Sequence, residues 1–117
     1  MLNISGHVRV YVCTAATDMR KSYDGLCSIV TSAMKQDVLS GHMFLFLNRR
    51  RDRIKLMWWD RDGIAIWMKR LEAGSYQLPA ISGNSPSMEI DATDLALLLT
   101  GIDLTSAKRR KRYSRVA

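Results

Sequence analysis

The sequence predicts an α+β fold: an antiparallel β-meander of about four to five strands packed with one longer helix and a short C-terminal helix, plus a basic tail. Three observations predict it. Three apolar runs, "MFLFLNR" (43–49), "RIKLMWWD" (53–60) and "IAIWMKRL" (64–71), follow one another with only short polar links. Links that short suit antiparallel neighbours, because a parallel pair needs a long crossover. Residues 23–35 instead carry their apolar side chains at helical spacing. Finally, the cations are concentrated at one end, where no apolar pattern accompanies them.

A chain of 117 residues has room for one domain and one modest core. Hydrophobic residues make up 47% and charged residues 25%, a globular profile rather than a disordered or membrane-embedded one. No apolar run approaches the roughly 18 to 20 residues of a membrane span, and no signal-like segment opens the chain. A cytoplasmic location without membrane attachment is therefore expected. Cys13 and Cys27 lack metal-ligand spacing, and His7 and His42 are scattered, so both cysteines read as small buried hydrophobes. The net charge of +7 is localised. Residues 1–105 hold twelve Lys and Arg against eleven Asp and Glu, whereas "SAKRRKRYSRVA" adds six cations and no acid. Residues 1–105 thus read as a single α+β domain and 106–117 as a disordered basic tail.

In chain order, "VRVYVC" (8–13) is a strand with Val8, Val10 and Val12 on one face and Arg9, Tyr11 and Cys13 on the other. The helix over 23–35 buries Tyr23, Leu26, Cys27, Val30, Ala33 and Met34, with Ser22 as N-cap. Gly25 inside it lowers helix propensity and calls for a close-packing reason. Ser40-Gly41 breaks the chain before the meander. If the meander links are 50–52 and 61–63, Phe44 and Phe46 share an apolar face with Ile54, Leu56, Trp58, Ile64, Ile66 and Met68. The other face then gathers Lys55, Met57, Trp59, Trp67 and Lys69. After "EAGSYQLP", the stretch "AISGNSPSMEI" reads as a loop. "DATDLALLLTG" then gives a short helix, with Asp91 or Thr93 as N-cap, Leu95, Leu98 and Leu99 as its buried stripe and Gly101 as its stop. Ile102 and Leu104 anchor the exit.

Asp60 and Asp62 sit two apart, as metal-binding acids often do, but Asp60-Arg61-Asp62-Gly63 also supplies what a tight hairpin needs, with Gly63 free to take positive φ. The other nearby acid, Asp52, lies at the far end of the same strand, roughly 25 Å away by strand rise. No nucleophile motif and no phosphate-binding loop is present in the sequence, and no cofactor or small-molecule substrate is expected. The expectation is a protein that is not an enzyme. What the sequence offers is positive charge: Arg49, Arg50, Arg51, Arg53, Lys55 and Lys69 in the meander, and Lys108, Arg109, Arg110, Lys111, Arg112 and Arg115 in the tail. Such groups neutralise phosphates. Trp59 and Trp67 beside them would offer a face for stacking on bases or for a partner, or else pack under a second element such as the C-terminal helix. The arginines would equally serve as a solvated hairpin tip, and the tail as a solubilising terminus.

The ordered combination of "TDMRKSYDGL", "SGHMFLFLNRRRDRIKLMWWDRDGIAIWMKRLEAGSYQLP" and "LLLTGIDL" resembles the TnpB accessory proteins of the IS-sixty-six insertion-sequence family. The likeness covers residues 8–105. It departs at Ser22, where that family usually has Gly, and at Ala16, where Pro is frequent. The resemblance implies a role in transposition beside a separate transposase that carries the catalytic acids. Two expectations follow: a non-catalytic DNA-binding factor, or a protein–protein adaptor that binds the transposase without contacting DNA.

Overall fold

A computed structural model describes residues 7–79 and 83–101. Its elements are β1 (Val10–Cys13), α1 (Tyr23–Ser28) running on into a π-helical turn (Ile29–Ala33), a 3-10 turn (Val38–Ser40), β2 (Met43–Leu47), β3 (Arg53–Asp60), β4 (Gly63–Arg70), β5 (Ser87–Ile90) and α2 (Ala92–Thr100). The five strands form one sheet in the order β4-β3-β2-β1-β5. The meander is present as β2-β3-β4, antiparallel throughout. β1 lies parallel to β2, because α1 carries the chain back across the sheet between them. β5 pairs antiparallel with β1 along Val10–Cys13. It occupies part of the stretch that reads as a loop in the sequence. "SMEI" is only four residues behind Gly, Ser and Pro, too short for periodicity to stand out.

Each sheet face carries its own core. On one face, Val10, Val12, Leu45, Leu47, Ile54 and Leu56 meet Leu95 and Leu98 of α2, with Tyr76 and Leu78 folded in from the segment after β4. On the other, Cys13, Phe44, Phe46 and Met57 meet Leu26, Val30 and Met34 of the α1 limb. β2, the middle strand, is buried along its whole length, which is why "MFLFL" shows no alternation. β1 faces as its alternation requires, with Val10 and Val12 on the α2 side and Cys13 on the α1 side.

The meander registers correct one expectation. Leu47 pairs with Ile54, and Asp60 with Gly63. Each link is therefore one residue out of phase with links at 50–52 and 61–63. The two displacements cancel between the outer strands and invert β3. Phe44, Phe46, Ile64, Ile66 and Met68 do share a face, but with Lys55, Met57 and Trp59, while Ile54, Leu56 and Trp58 point the other way. A one-residue slip moves every side chain across the sheet. The hairpin reading of Asp60-Arg61-Asp62-Gly63 is correct, yet the residue with positive φ is Arg61 at 60°. In a two-residue turn the first central position takes that conformation.

The α1 limb starts at Tyr23 as read, although Ser22 makes no side-chain cap bond. Its buried residues come at 26, 30 and 34, and Tyr23 stays 51% exposed. The π turn accounts for the drift, with the Met34 N–H donating to the Ile29 carbonyl five residues back. Gly25 has its packing reason: a Cβ there would lie 3.1 Å from Cβ of Lys21. In α2, Asp91 is the N-cap, its Oδ1 accepting from the Asp94 N–H at 2.7 Å, and Gly101 closes the helix at φ 95°. Ile102, Leu104 and the tail cations lie outside the described residues.

Candidate nucleic-acid interface

The 48–52 link is held by one side chain. Asn48 Oδ1 accepts from the backbone N–H of Asp52 at 3.1 Å and of Arg53 at 3.0 Å, and its Nδ2 donates to Asp52 Oδ1 at 2.6 Å. Two further chain segments lock the same link: Leu71 N–H donates to the Asp52 carbonyl and Tyr76 N–H to that of Arg51, both at 2.7 Å. On its other flank, Thr17 N–H donates to the Leu47 carbonyl at 2.8 Å, which brings the Thr14–Ser22 connection alongside. The result is a rigid corner at one end of the sheet.

Two open grooves meet at that corner. One, about 400 Å³, runs between Asp18–Arg20 and Arg49, Arg50 and Arg53. The other, about 460 Å³, continues past Met19 and Arg53 to Arg70 and Glu72. Met19 and Arg53 line both. Arg20 and Arg70, which the reading of the sequence did not single out, thus join the meander arginines. The signal for Arg20 was available in "TDMR": Asp18 accepts from the Arg20 backbone N–H at 2.9 Å and clasps its guanidinium with both oxygens.

Charge within the corner is unevenly spent. The bonds from Arg20 pull the Asp18 carboxyl down to about 2. Arg70 is paired with Glu72 at 3.2 Å. Asp52 is held below the usual carboxylate range, chiefly by the Asn48 amide. Arg49, Arg50 and Arg53 are exposed and form no ion pair among the described residues. Moreover, Arg53 sits directly opposite Arg70 in the β3–β4 ladder, an arrangement of like charges that disfavours folding by itself. Arg50 and Arg53 help lower Asp52 only from a distance, and three guanidinium forks without an ion pair among the described residues are suited to phosphate oxygens, which they can grip in bidentate fashion.

The structure disperses the other sequence-derived candidates. Lys55 is only 8% exposed and donates from Nζ to the Lys21 carbonyl at 2.7 Å, so its charge is turned inward. It was misplaced because the register inversion carries it under α1. Arg51 takes positive φ (57°) and lines an adjoining recess of about 150 Å³ beside Leu78, on the other side of Asn48 and Arg49. Lys69 borders the corner, but strand alternation sets its side chain on the α2 face with Trp67. Trp59 and Trp67 do not form one face. Trp59 pairs with Ile64 on the α1 side, roughly 20 Å along β3 from Arg53. Trp67 packs with Trp58 against the core that α2 covers.

The family described as IS66 Orf2 like protein matches residues 8–109. Two relatives from Sinorhizobium fredii (strain NBRC 101917 / NGR234) are similar over most of their length. The uncharacterized protein y4jC is 32% identical over 119 residues, covering all of both chains, and y4hO is 34% identical over 103 residues, covering 88% of each. No solved structure matches. Among the described residues no helix is long and apolar enough to cross a membrane. A match running from before β1 to beyond α2 spans the whole fold described above, and the chain belongs to the IS66 Orf2-like family, the TnpB-type accessory proteins of insertion-sequence transposition.

Proposed function

We propose that this chain is a non-catalytic DNA-binding factor that works beside the transposase of its element, and that the corner built on Asn48 is its phosphate-binding surface. The observation that carries the reading is the set of Arg49, Arg50 and Arg53, exposed and without an ion pair among the described residues, on a turn fixed by three hydrogen bonds to the Asn48 side chain. Phosphate contacts of this kind position a protein on a duplex without reading its sequence. The tail cations Lys108 to Arg115 add sequence-independent affinity in the same way. Any preference for element ends then belongs to the rest of the domain or to the transposase.

The test is a titration of the full chain with element-end and scrambled duplexes at several salt concentrations. Each phosphate neutralised contributes about −0.9 to the log–log salt slope. Replacing Arg49, Arg50 and Arg53 by Gln should therefore flatten the slope by about 2.7, equally for both duplexes. If the full chain fails to bind DNA at low salt yet captures the transposase, the adaptor reading replaces this one.

A further inference from the structure

β4 is the outer strand of the sheet, bonded to β3 on one side and to no other strand among the described residues. Edge strands of this length are ordinarily blunted by proline, an inward charge or a bulge. β4 has none of these over Gly63–Met68, and its cations come only at Lys69 and Arg70. Because Asp60 and Gly63 flank a two-residue turn, they are a hydrogen-bonded pair, and alternation turns the backbone groups of Ile64, Ile66, Met68 and Arg70 outward. Met68 is 62% exposed, and Ile64 and Ile66 are only partly covered by the α1-side core.

We propose that β4 pairs antiparallel with β4 of a second copy of this chain, about a two-fold axis through Ile66, joining the two sheets into one. Side-chain chemistry selects that register. Centred on Ile66, it sets Ile64 against Met68 and Ala65 against Trp67, large beside small, and places Asp62 across from Arg70 at both ends. Sliding two residues one way sets Ile64 against Arg70 and Asp62 against Glu72. Sliding two the other way sets Asp62 against Met68. An odd shift presents inward-turned backbone groups to the partner. The centred register alone matches apolar with apolar and anion with cation along the strand. It rests on the edge strand and its charges, independently of DNA binding.

Asp62, in the turn just before Gly63, and Arg70 sit at opposite ends of β4, roughly 23 Å apart by strand rise, so they can pair only between copies. Sedimentation of the full chain tests this. The wild type should form a reversible dimer. Asp62→Arg and Arg70→Asp should each weaken it about tenfold or more, because both ends then oppose like charges. An equimolar mixture of the two variants should recover wild-type association, since every cross pair is again opposite in sign. Misfolding cannot imitate that recovery. Met68→Pro, which removes an outward N–H and no bond to β3, should give a folded monomer. A monomeric wild type, a dimer indifferent to both charge changes, or a mixture that fails to recover would each overturn the proposal. Loss of transposase capture by β4 variants of a monomeric wild type would do so in favour of a foreign strand.

Discussion

Lys55 distinguishes two accounts of the positive charge, one in which it reaches phosphate and one in which it holds the helix limb to the sheet. Its stem lies between Phe46 and Met68 across the ladder, and its ammonium meets the Lys21 carbonyl at 2.7 Å. Lys55→Ala deletes three methylenes, worth about 0.8 kcal/mol each when buried. It also removes a charge-assisted hydrogen bond worth about 1.5 to 3 kcal/mol, much of which is offset because the ammonium no longer has to be desolvated. The net expectation is a loss of about 3 kcal/mol for Lys55→Ala. For Lys55→Met, which keeps the stem volume, about 1 kcal/mol is expected. Urea denaturation of the full chain measures both, provided the slope with denaturant is unchanged. In DNA titrations Lys55→Met should leave the salt slope as it is, whereas a lost phosphate contact would flatten it by about 0.9. Losses below about 0.5 kcal/mol in both variants would refute the internal bond.

Four further outcomes follow from the same geometry. Asp18→Asn releases Arg20 and should steepen the salt slope by up to about 0.9. The Asp18 carboxyl itself should titrate near 2 by NMR. A folded value below the unfolded one means that its contribution to stability is present above the ordinary Asp range and is lost as pH falls through about 2. A midpoint in the ordinary Asp range would remove the clasp on Arg20. Asn48→Ala takes three hydrogen bonds from the 48–52 link and should cost about 2 kcal/mol in denaturant melts, with weaker DNA binding because the arginines lose their fixed spacing. An intact affinity would mean that the corner's rigidity is irrelevant. Trp58→Ala should cost about 2 kcal/mol, since Trp58 packs half-buried on the α2-side core, and Trp59→Ala less, since it joins neither core; a larger loss at Trp59 would reverse that assignment.

Much of the fold was legible where one physical rule acts alone. Asp91 and Gly101 bound α2 because a side-chain acceptor and a left-handed residue are what helix ends require. The three meander strands declare themselves through their apolar runs and short links. What could not be read is parity. Whether Arg49 or Leu47 is the last paired residue of β2 depends on Asn48 gathering the N–H groups of Asp52 and Arg53, a side-chain interaction that leaves no periodic trace. That single residue of phase decided the fate of Lys55 and Trp59. The arginine corner was legible in part, because Arg49 to Arg53 are contiguous. The clasp of Asp18 on Arg20 is local, but its place in the corner rests on the Thr17–Leu47 and Lys55–Lys21 bonds, contacts across thirty or more positions that no local pattern announces.

Whether the corner on Asn48 grips phosphate is decided by the salt dependence of DNA binding by the full chain beside the same chain carrying Arg49→Gln, Arg50→Gln and Arg53→Gln. A phosphate-binding corner gives a slope flatter by about 2.7 in the variant, with urea stability retained and the same change on element-end and scrambled duplexes. A variant whose slope and affinity equal those of the wild type, while the wild type binds, would contradict it, because the corner would then contribute no phosphate contact.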